Sequence, residues 1–333
     1  MTQTPETLLT RLETAFTAVR KYGENPSSFL ALNASNAFFL GSGGECVAYR
    51  EAGPFLVQFG GVFGPPEQQS TVLREFRAYA RSRRRRIVGV QLQRADTGVY
   101  AAAGFTLNQV GSSYAVRLPE FTLRGPEFMK LRNKVSRARR SGLTVREVPY
   151  DAHRADVREI DGAWLRGKGR HAKEIEFLVG ELGGPLQRHR RLFLGSLDGT
   201  PRAYISYSPV YGSRSGWLHD LSRRMPGTPP GVMEAVNVAA TETFTRERAE
   251  WLHFGFTPFT GLDARLEVEP HSALTGKLMR LLAERGDRVY PARSQLAYKR
   301  KWGPHLVLPE YLAFEGRASL RAVWHVLRVT NSV

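Results

Sequence analysis

The sequence holds one cysteine, Cys46, in 333 residues. That excludes an intramolecular disulfide framework and any zinc site built from several cysteines. Long apolar runs are missing as well. A bilayer span needs roughly 20 apolar residues, whereas the longest segments here, Ala203–Tyr211 and Arg191–Leu197, have the length of strands. The first residues do not place a basic stretch before an apolar one, so no secretory leader is expected. The expectation is a cytoplasmic protein whose membrane contact, if it has one, is peripheral at the inner membrane surface. Common chemical signatures are also absent. There is no GxxxxGK[ST] phosphate loop, no GxSxG elbow and no HExxH pair among the eight histidines. Gly41-Ser-Gly-Gly-Glu-Cys46 has neither the spacing nor the strand–loop–helix setting of a dinucleotide site.

Acidic residues are scarce relative to basic ones: 31 against 48, a formal charge of +17, with arginine supplying most of the excess. An excess this large points to a polyanionic partner: nucleic acid, an anionic membrane surface, or both. Hydrophobic residues make up 42%, enough for a sizeable core and against global disorder.

The periodicity reads as an α/β chain. A helix over 5–22, capped by Thr4, carries Leu8, Leu9, Leu12, Phe16 and Val19 at helical spacing. Short strands follow at 37–40, 45–49 and 55–59, then a helix at 67–82, a strand at 87–92, a short helix at 97–103 and a strand at 114–118. After 142 a similar order returns: a strand at 144–148, helices at 152–166 and 173–182, a meander over 192–221, a long helix near 230–249, a strand at 251–255, a helix at 271–285 and a last strand at 296–301. The chain thus reads as two α/β units with mixed sheets. The expected boundaries are 1–124, a connecting helix 125–142, 143–315, and a C-terminal amphipathic helix 316–333.

Three segments stand out chemically. Arg81-Ser-Arg-Arg-Arg-Arg86 lies at a helix end, where cations suit the dipole. The connecting helix bears Lys130, Arg132, Lys134, Arg137, Arg139 and Arg140, while Met129, Leu131, Val135 and Ala138 are left to pack. Each cation that neutralises a phosphate adds salt-dependent affinity. In Trp217-Leu-His-Asp-Leu-Ser-Arg-Arg-Met-Pro-Gly-Thr-Pro-Pro-Gly231, a strand ends at Asp220 and Arg223 follows. A Gly/Pro-rich loop then leads to a helix N-terminus. Such a loop suits holding an acyl oxygen beside an acceptor, or simply carries a surface ion pair.

An ordered set of segments carries a resemblance: Phe121-Thr-Leu-Arg-Gly125; Leu131-Arg-Asn133 with Arg137 and Gly142; Lys173-Glu-Ile-Glu-Phe-Leu-Val-Gly180; Asp220-Leu-Ser-Arg-Arg224 with Pro230-Gly-Val-Met-Glu234; Phe254-Gly-Phe-Thr-Pro-Phe-Thr-Gly-Leu262; and Tyr298-Lys-Arg-Lys-Trp-Gly-Pro304 with Tyr311-Leu312. In these the chain resembles the synthase domain of the aminoacyl-phosphatidylglycerol synthases, the multiple peptide resistance factors. The family's Asp-Leu-Met-Arg reads Asp-Leu-Ser-Arg here, and Glu234 stands at a position that is Asp in the family.

The resemblance implies two tandem acetyltransferase-like (GNAT-like) units joined by a basic helix. It implies transfer of an aminoacyl group from aminoacyl-tRNA to a lipid headgroup such as that of phosphatidylglycerol, without cofactor or metal. It places functional roles on Asp220, Arg223, Glu174 and one of Lys299 and Lys301; with such a donor, the charge of the basic helix makes it the expected tRNA-binding element. Related soluble proteins of antibiotic pathways load small molecules instead, which is a second acceptor class. Two other readings stand beside it: an acetyl-coenzyme A-dependent N-acetyltransferase and a non-catalytic RNA-binding protein. Against the first, the chain lacks the Arg/Gln-x-x-Gly-x-Gly/Ala loop that cradles a pyrophosphate. In the C-terminal segment, Arg321, His325 and Arg328 share one helical face with Leu320, Val323, Trp324 and Leu327 near another, which suits either docking on the domain or lying on an anionic bilayer.

Overall fold

The computed structural model describes residues 5–168, 177–285 and 292–331. The first half runs α1 (Pro5–Tyr22), β1 (Ala37–Leu40), β2 (Cys46–Ala52), β3 (Phe55–Phe63), α2 (Pro66–Ser82), β4 (Arg86–Leu92), α3 (Thr97–Ala102) and β5 (Phe105–Arg117). The basic helix α4 (Met129–Arg140) follows. The second half is β6 (Leu143–Val148), α5 (Arg154–Gly167), β7 (Arg191–Leu197), β8 (Thr200–Val210), β9 (Gly216–Arg224), α6 (Val232–Arg246), β10 (Trp251–Pro258), α7 (Ala273–Arg285), α8 (Ala292–Arg300), β11 (Leu306–Glu315) and α9 (Leu320–Val329). The α/β class, the mixed sheet and the return of a similar element order after α4 are as the sequence indicates. The Thr4 cap lies outside the described residues.

The described strands join one 11-stranded sheet in the order β1-β2-β3-β4-β11-β5-β10-β9-β8-β7-β6. The halves trade their last strands. β5 of the first pairs antiparallel with β10 of the second, and β11 of the second inserts between β4 and β5, antiparallel to both. Residues 306–315, assigned from sequence to the second unit, are therefore hydrogen-bonded to strands of the first.

Helices cover both faces, and strand alternation sorts the core accordingly. In β3, Val57 and Phe59 pack with Ala15 and Val19 of α1 and Val326 of α9. Leu56 faces Leu73, Phe76 and Ala80 of α2 on the other side. In β8, Ile205 and Tyr207 join Val135 of α4 and Val236 of α6, whereas Tyr204 joins Val157 and Ile160 of α5.

Two expectations need correction. Residues 296–301 are not a strand: 292–300 form α8, and the last strand is β11. In the predicted helix 173–182, residues 177–182 are irregular, and the rest lies outside the described residues. Leu296 and Tyr298 look like strand alternation, but Ala292, Leu296 and Lys299 follow helical spacing. The true strand was hidden by Pro309, which breaks the ladder pattern and sits beside a register shift between Glu310 and Tyr311.

Candidate active site

β9 and β10 run parallel but pair only at Gly216–Leu218 against Trp251–His253. Beyond that point the two strands separate, and a cavity of about 700 Å³ opens between them. Leu218–Arg224 and Phe254–Phe256 form opposing walls, and Gly231, Met233 and Glu234 of the α6 N-terminus lie alongside.

Asp220 reaches this cavity through a backbone irregularity. In the β8–β9 ladder Ser206 faces Leu221 and Tyr207 faces His219, so Asp220 is the extra residue of a bulge. Bulges re-aim side chains in this way. The Ser208 hydroxyl donates to Asp220 Oδ2. The chain at Gly180 passes so close that a Cβ there would lie 2.5 Å from the Asp220 carboxylate. Burial pushes the Asp220 carboxyl up to about 6; the Arg190 guanidinium and the Ser208 and Ser206 hydroxyls work against that rise. Arg190 is itself buried, with Nη2 donating to Asn33 Oδ1 at 3.1 Å and its guanidinium over the Phe29 ring.

Asp220 and Arg223 line the same cavity but do not form the ion pair that their spacing suggested. Arg223 Nη1 pairs with Asp161 Oδ1 at 3.0 Å, and its guanidinium stacks 4.7 Å from the Trp164 ring centre. Lys168 Nζ lies 3.7 Å from the centre of the same ring. Tyr204 fixes Asp161 by donating to Oδ1 at 2.5 Å.

The two candidate lysines occupy different environments. Lys299 is buried and donates to the carbonyls of Gly255 and Phe256 at 2.7 and 3.0 Å. Burial brings its ammonium down to about 7, while the Glu310 carboxylate opposes that fall. Glu310, wholly enclosed and accepting from Ser113, is pushed up to about 7 by the same burial. Lys301 lies at the cavity wall, 3.2 Å from Oε1 of Glu234, and Lys134 reaches that oxygen at 3.5 Å. Burial would raise Glu234, but the Lys301 and Lys134 ammoniums outweigh it and hold the carboxyl below its ordinary range. His219, between Asn237 and Tyr298, is driven by burial down to about 4 and is neutral at neutral pH.

The lining changes character across the cavity. Toward α4 and α5 it is cationic, with Lys134, Lys168, Arg223, Arg224 and Lys301. Toward the first half of the sheet it is apolar, with Leu30, Val110, Met279 and Leu312 beneath Val323, Val326 and Leu327 of α9. Among the described residues no group of three or more His, Cys, Asp or Glu is placed to hold a metal.

Residues 16–314 match the family described as phosphatidylglycerol lysyltransferase, C-terminal. The chain belongs to that family. Among curated relatives, the lysylphosphatidylglycerol biosynthesis bifunctional protein LysX of Mycobacterium tuberculosis is 29% identical over 225 residues. That alignment covers 64% of this chain and 18% of the relative, so the chain spans under a fifth of the relative's length. Two solved structures share the fold. The C-terminal domain of a putative lysylphosphatidylglycerol synthetase from Agrobacterium fabrum superposes with a TM-score of 0.79 at 21% identity, covering 98% of this chain and 97% of that one. L-PGS from Bacillus licheniformis gives 0.77 at 21% identity, covering 96% and 97%.

In this member of the phosphatidylglycerol lysyltransferase family, Asp220, Arg223, Lys299 and Lys301 all border one cavity. Glu174 lies outside the described residues. The basic helix sorts its charges. Lys130, Arg137 and Arg140 are exposed along one side. Lys134 faces the cavity, Arg139 pairs with Glu242 at 3.4 Å, and Arg132 donates to the carbonyls of Leu123 and Gly125. Sequence reasoning missed Trp164, Lys168, Arg190, Ser208 and Glu310. Ser208 and Glu310 reach the site through strand pairing, Trp164 and Lys168 from the C-terminal end of α5, and Arg190 from the turn before β7, and none sits in a motif.

Proposed function

We propose that this chain transfers an aminoacyl group from aminoacyl-tRNA to the headgroup hydroxyl of phosphatidylglycerol. The supporting observation is the cavity in which the Asp220 carboxylate stands between a cationic and an apolar lining. Membership in the phosphatidylglycerol lysyltransferase family adds the reaction class.

The ester joining an amino acid to the terminal ribose is already activated, so attack by an acceptor hydroxyl needs no further energy source. The acceptor oxygen forms the new ester bond, the bond to the ribose oxygen breaks, and the acceptor's proton ends on that ribose oxygen. Asp220, poised near pH 6, orients the acceptor hydroxyl or the α-ammonium of the donor and relays that proton. Arg223 and Lys301 stabilise negative charge on phosphate or on the developing oxyanion. The N-terminus of α6 lacks a side-chain cap and adds its dipole at the same wall. Lys299 holds the β10 wall through two carbonyls. Lys130, Arg137 and Arg140 bind the acceptor arm of the tRNA through its backbone, because A-form RNA offers shape and phosphate before base edges. The test is incubation with a pool of labelled aminoacyl-tRNAs and phosphatidylglycerol vesicles. Label in the lipid fraction, abolished by RNase pretreatment, supports the reading. Label in a water-soluble product of cell extract would instead make the acceptor a small molecule, and acetyl transfer from acetyl-coenzyme A would replace the donor.

A further inference from the structure

Helix α9 has two working faces. Ala322 and Val326 are buried, and Val323, Val326, Leu327 and Thr330 line the apolar part of the cavity. The adjoining strip of the helix is apolar but exposed: Leu320 is 64% exposed and Trp324 52%. Four residues apart on a helix, they stand one above the other. Arg317, Arg321 and Arg328 are exposed beside them, and none of the three has an ion-pair partner among the described residues.

This face continues into the arginine run at the end of α2. His325 packs 5.5 Å from the Phe55 ring and sits so tightly over Gly53 that a Cβ there would lie 2.3 Å from its Cε1. Arg85 donates to the Gly53 carbonyl at 2.6 Å. Arg83 and Arg85 share Glu51, and Arg77 and Arg81 share Glu315, so both acidic side chains in this region are already paired. The surface that remains is a Trp and a Leu flanked on one side by Arg317, Arg321 and Arg328.

We propose that α9 docks this domain on an anionic lipid bilayer, seating Leu320 and Trp324 at the headgroup boundary while Arg317, Arg321 and Arg328 meet lipid phosphates. Charge complementarity selects an anionic surface, and the exposed aliphatic side chain selects a bilayer over RNA, whose phosphates give leucine nothing to bury against. Trp at such a boundary keeps its ring in an apolar setting and its N–H in a wet one. The adjoining face of the same helix lines the apolar part of the cavity, so a lipid leaving the bilayer meets the cavity along α9. That last step rests on the lipid-acceptor reading; the docking itself does not.

The test is sedimentation of the full chain with vesicles of phosphatidylcholine alone or mixed with phosphatidylglycerol. The readouts are vesicle binding, tRNA binding and transfer to a water-soluble short-chain phosphatidylglycerol. Leu320→Ser with Trp324→Ser should weaken binding to mixed vesicles by about tenfold or more, given the apolar area two such side chains bury. Transfer to the short-chain acceptor should be unchanged, which also shows that the variant is folded. Arg321→Gln with Arg328→Gln should lower the preference for mixed over neutral vesicles. The Trp324→Phe difference spectrum should show a blue shift of Trp324 emission on mixed vesicles. The proposal is overturned if wild-type chain ignores mixed vesicles, if the apolar double variant binds them as wild type does, or if the variants lose tRNA binding instead. Vesicle binding that depends on α9 without any transfer to lipid would support docking and sink the acceptor reading.

Discussion

Lys301 Nζ and Lys134 Nζ lie 3.2 and 3.5 Å from the same carboxylate oxygen of Glu234. One buried acid thereby ties the basic helix, the N-terminus of α6 and the turn after α8 into a single cavity wall. Glu234→Gln removes the counter-charge and should cost about 1 kcal/mol at neutral pH, a modest figure because water screens both part-exposed ammoniums. The sign with pH is fixed by the lowered Glu234 pKa. Its contribution is present above the ordinary carboxylate range and lost as pH falls through the depressed folded value. Denaturant titrations of wild type and variant should therefore converge in acid; a gap independent of pH would show that the charge pair contributes nothing.

Lys299 and Lys301 should separate in the same measurement. Lys299→Ala strands two carbonyls and the enclosed Glu310, and should lower stability by about 2 kcal/mol. Lys301→Ala leaves Glu234 its contact with Lys134 and should cost under about 1 kcal/mol while slowing transfer. Equal melting temperatures for the two variants would contradict this division into a supporting and a reacting lysine.

The Asp220 carboxyl, held near 6, sets a pH profile. Transfer should rise with pH until Asp220 is ionised and level off above about 6. Ser208→Ala removes a donor to the carboxylate and should move that inflection upward. Because the folded value lies above the unfolded one, ionised Asp220 is a cost to folding at neutral pH. Asp220→Asn should be more stable there by up to about 2 kcal/mol, and the advantage should fade below about pH 4. An inflection that ignores Ser208 would remove Asp220 from the rate law.

On the basic helix, Lys130→Ala with Arg137→Ala should weaken tRNA binding and reduce the slope of log affinity against log salt by about 2. Arg139→Ala, whose side chain already pairs with Glu242, should change the slope by less. Equal slopes for wild type and double variant would move the RNA elsewhere.

Much of this architecture was legible. Periodicity located the helices α1, α2 and α6 and the strands of the β7–β9 meander, because their apolar residues repeat at the spacing that the core demands. The misreadings have physical reasons. Pro309 sits inside β11 yet is tolerated because the ladder shifts register next to it. Asp220 and Arg223 looked like a pair from spacing, but the bulge at Asp220 and the Asp161–Trp164 nest around Arg223 direct them to separate partners. Ser208, Arg190 and Glu310 touch the site only through strand pairing and loop packing, which no local pattern encodes.

Two glycines give opposite forecasts. Gly231, at φ +94, has Lys134 O 2.2 Å from where a Cβ would be, so Gly231→Ala should cost about 2 kcal/mol or more and disturb the α4–α6 junction. Gly98, inside α3 with nothing within 4 Å, should gain about 0.5–1 kcal/mol as Ala. Thermal unfolding of both variants checks the close approach of the two helices.

The most direct measurement is the initial rate of label transfer from charged tRNA to phosphatidylglycerol by wild type and Asp220→Asn, alongside tRNA affinity. The account predicts a rate lower by about 100-fold or more with tRNA affinity within about twofold. A variant that transfers at the wild-type rate would contradict it.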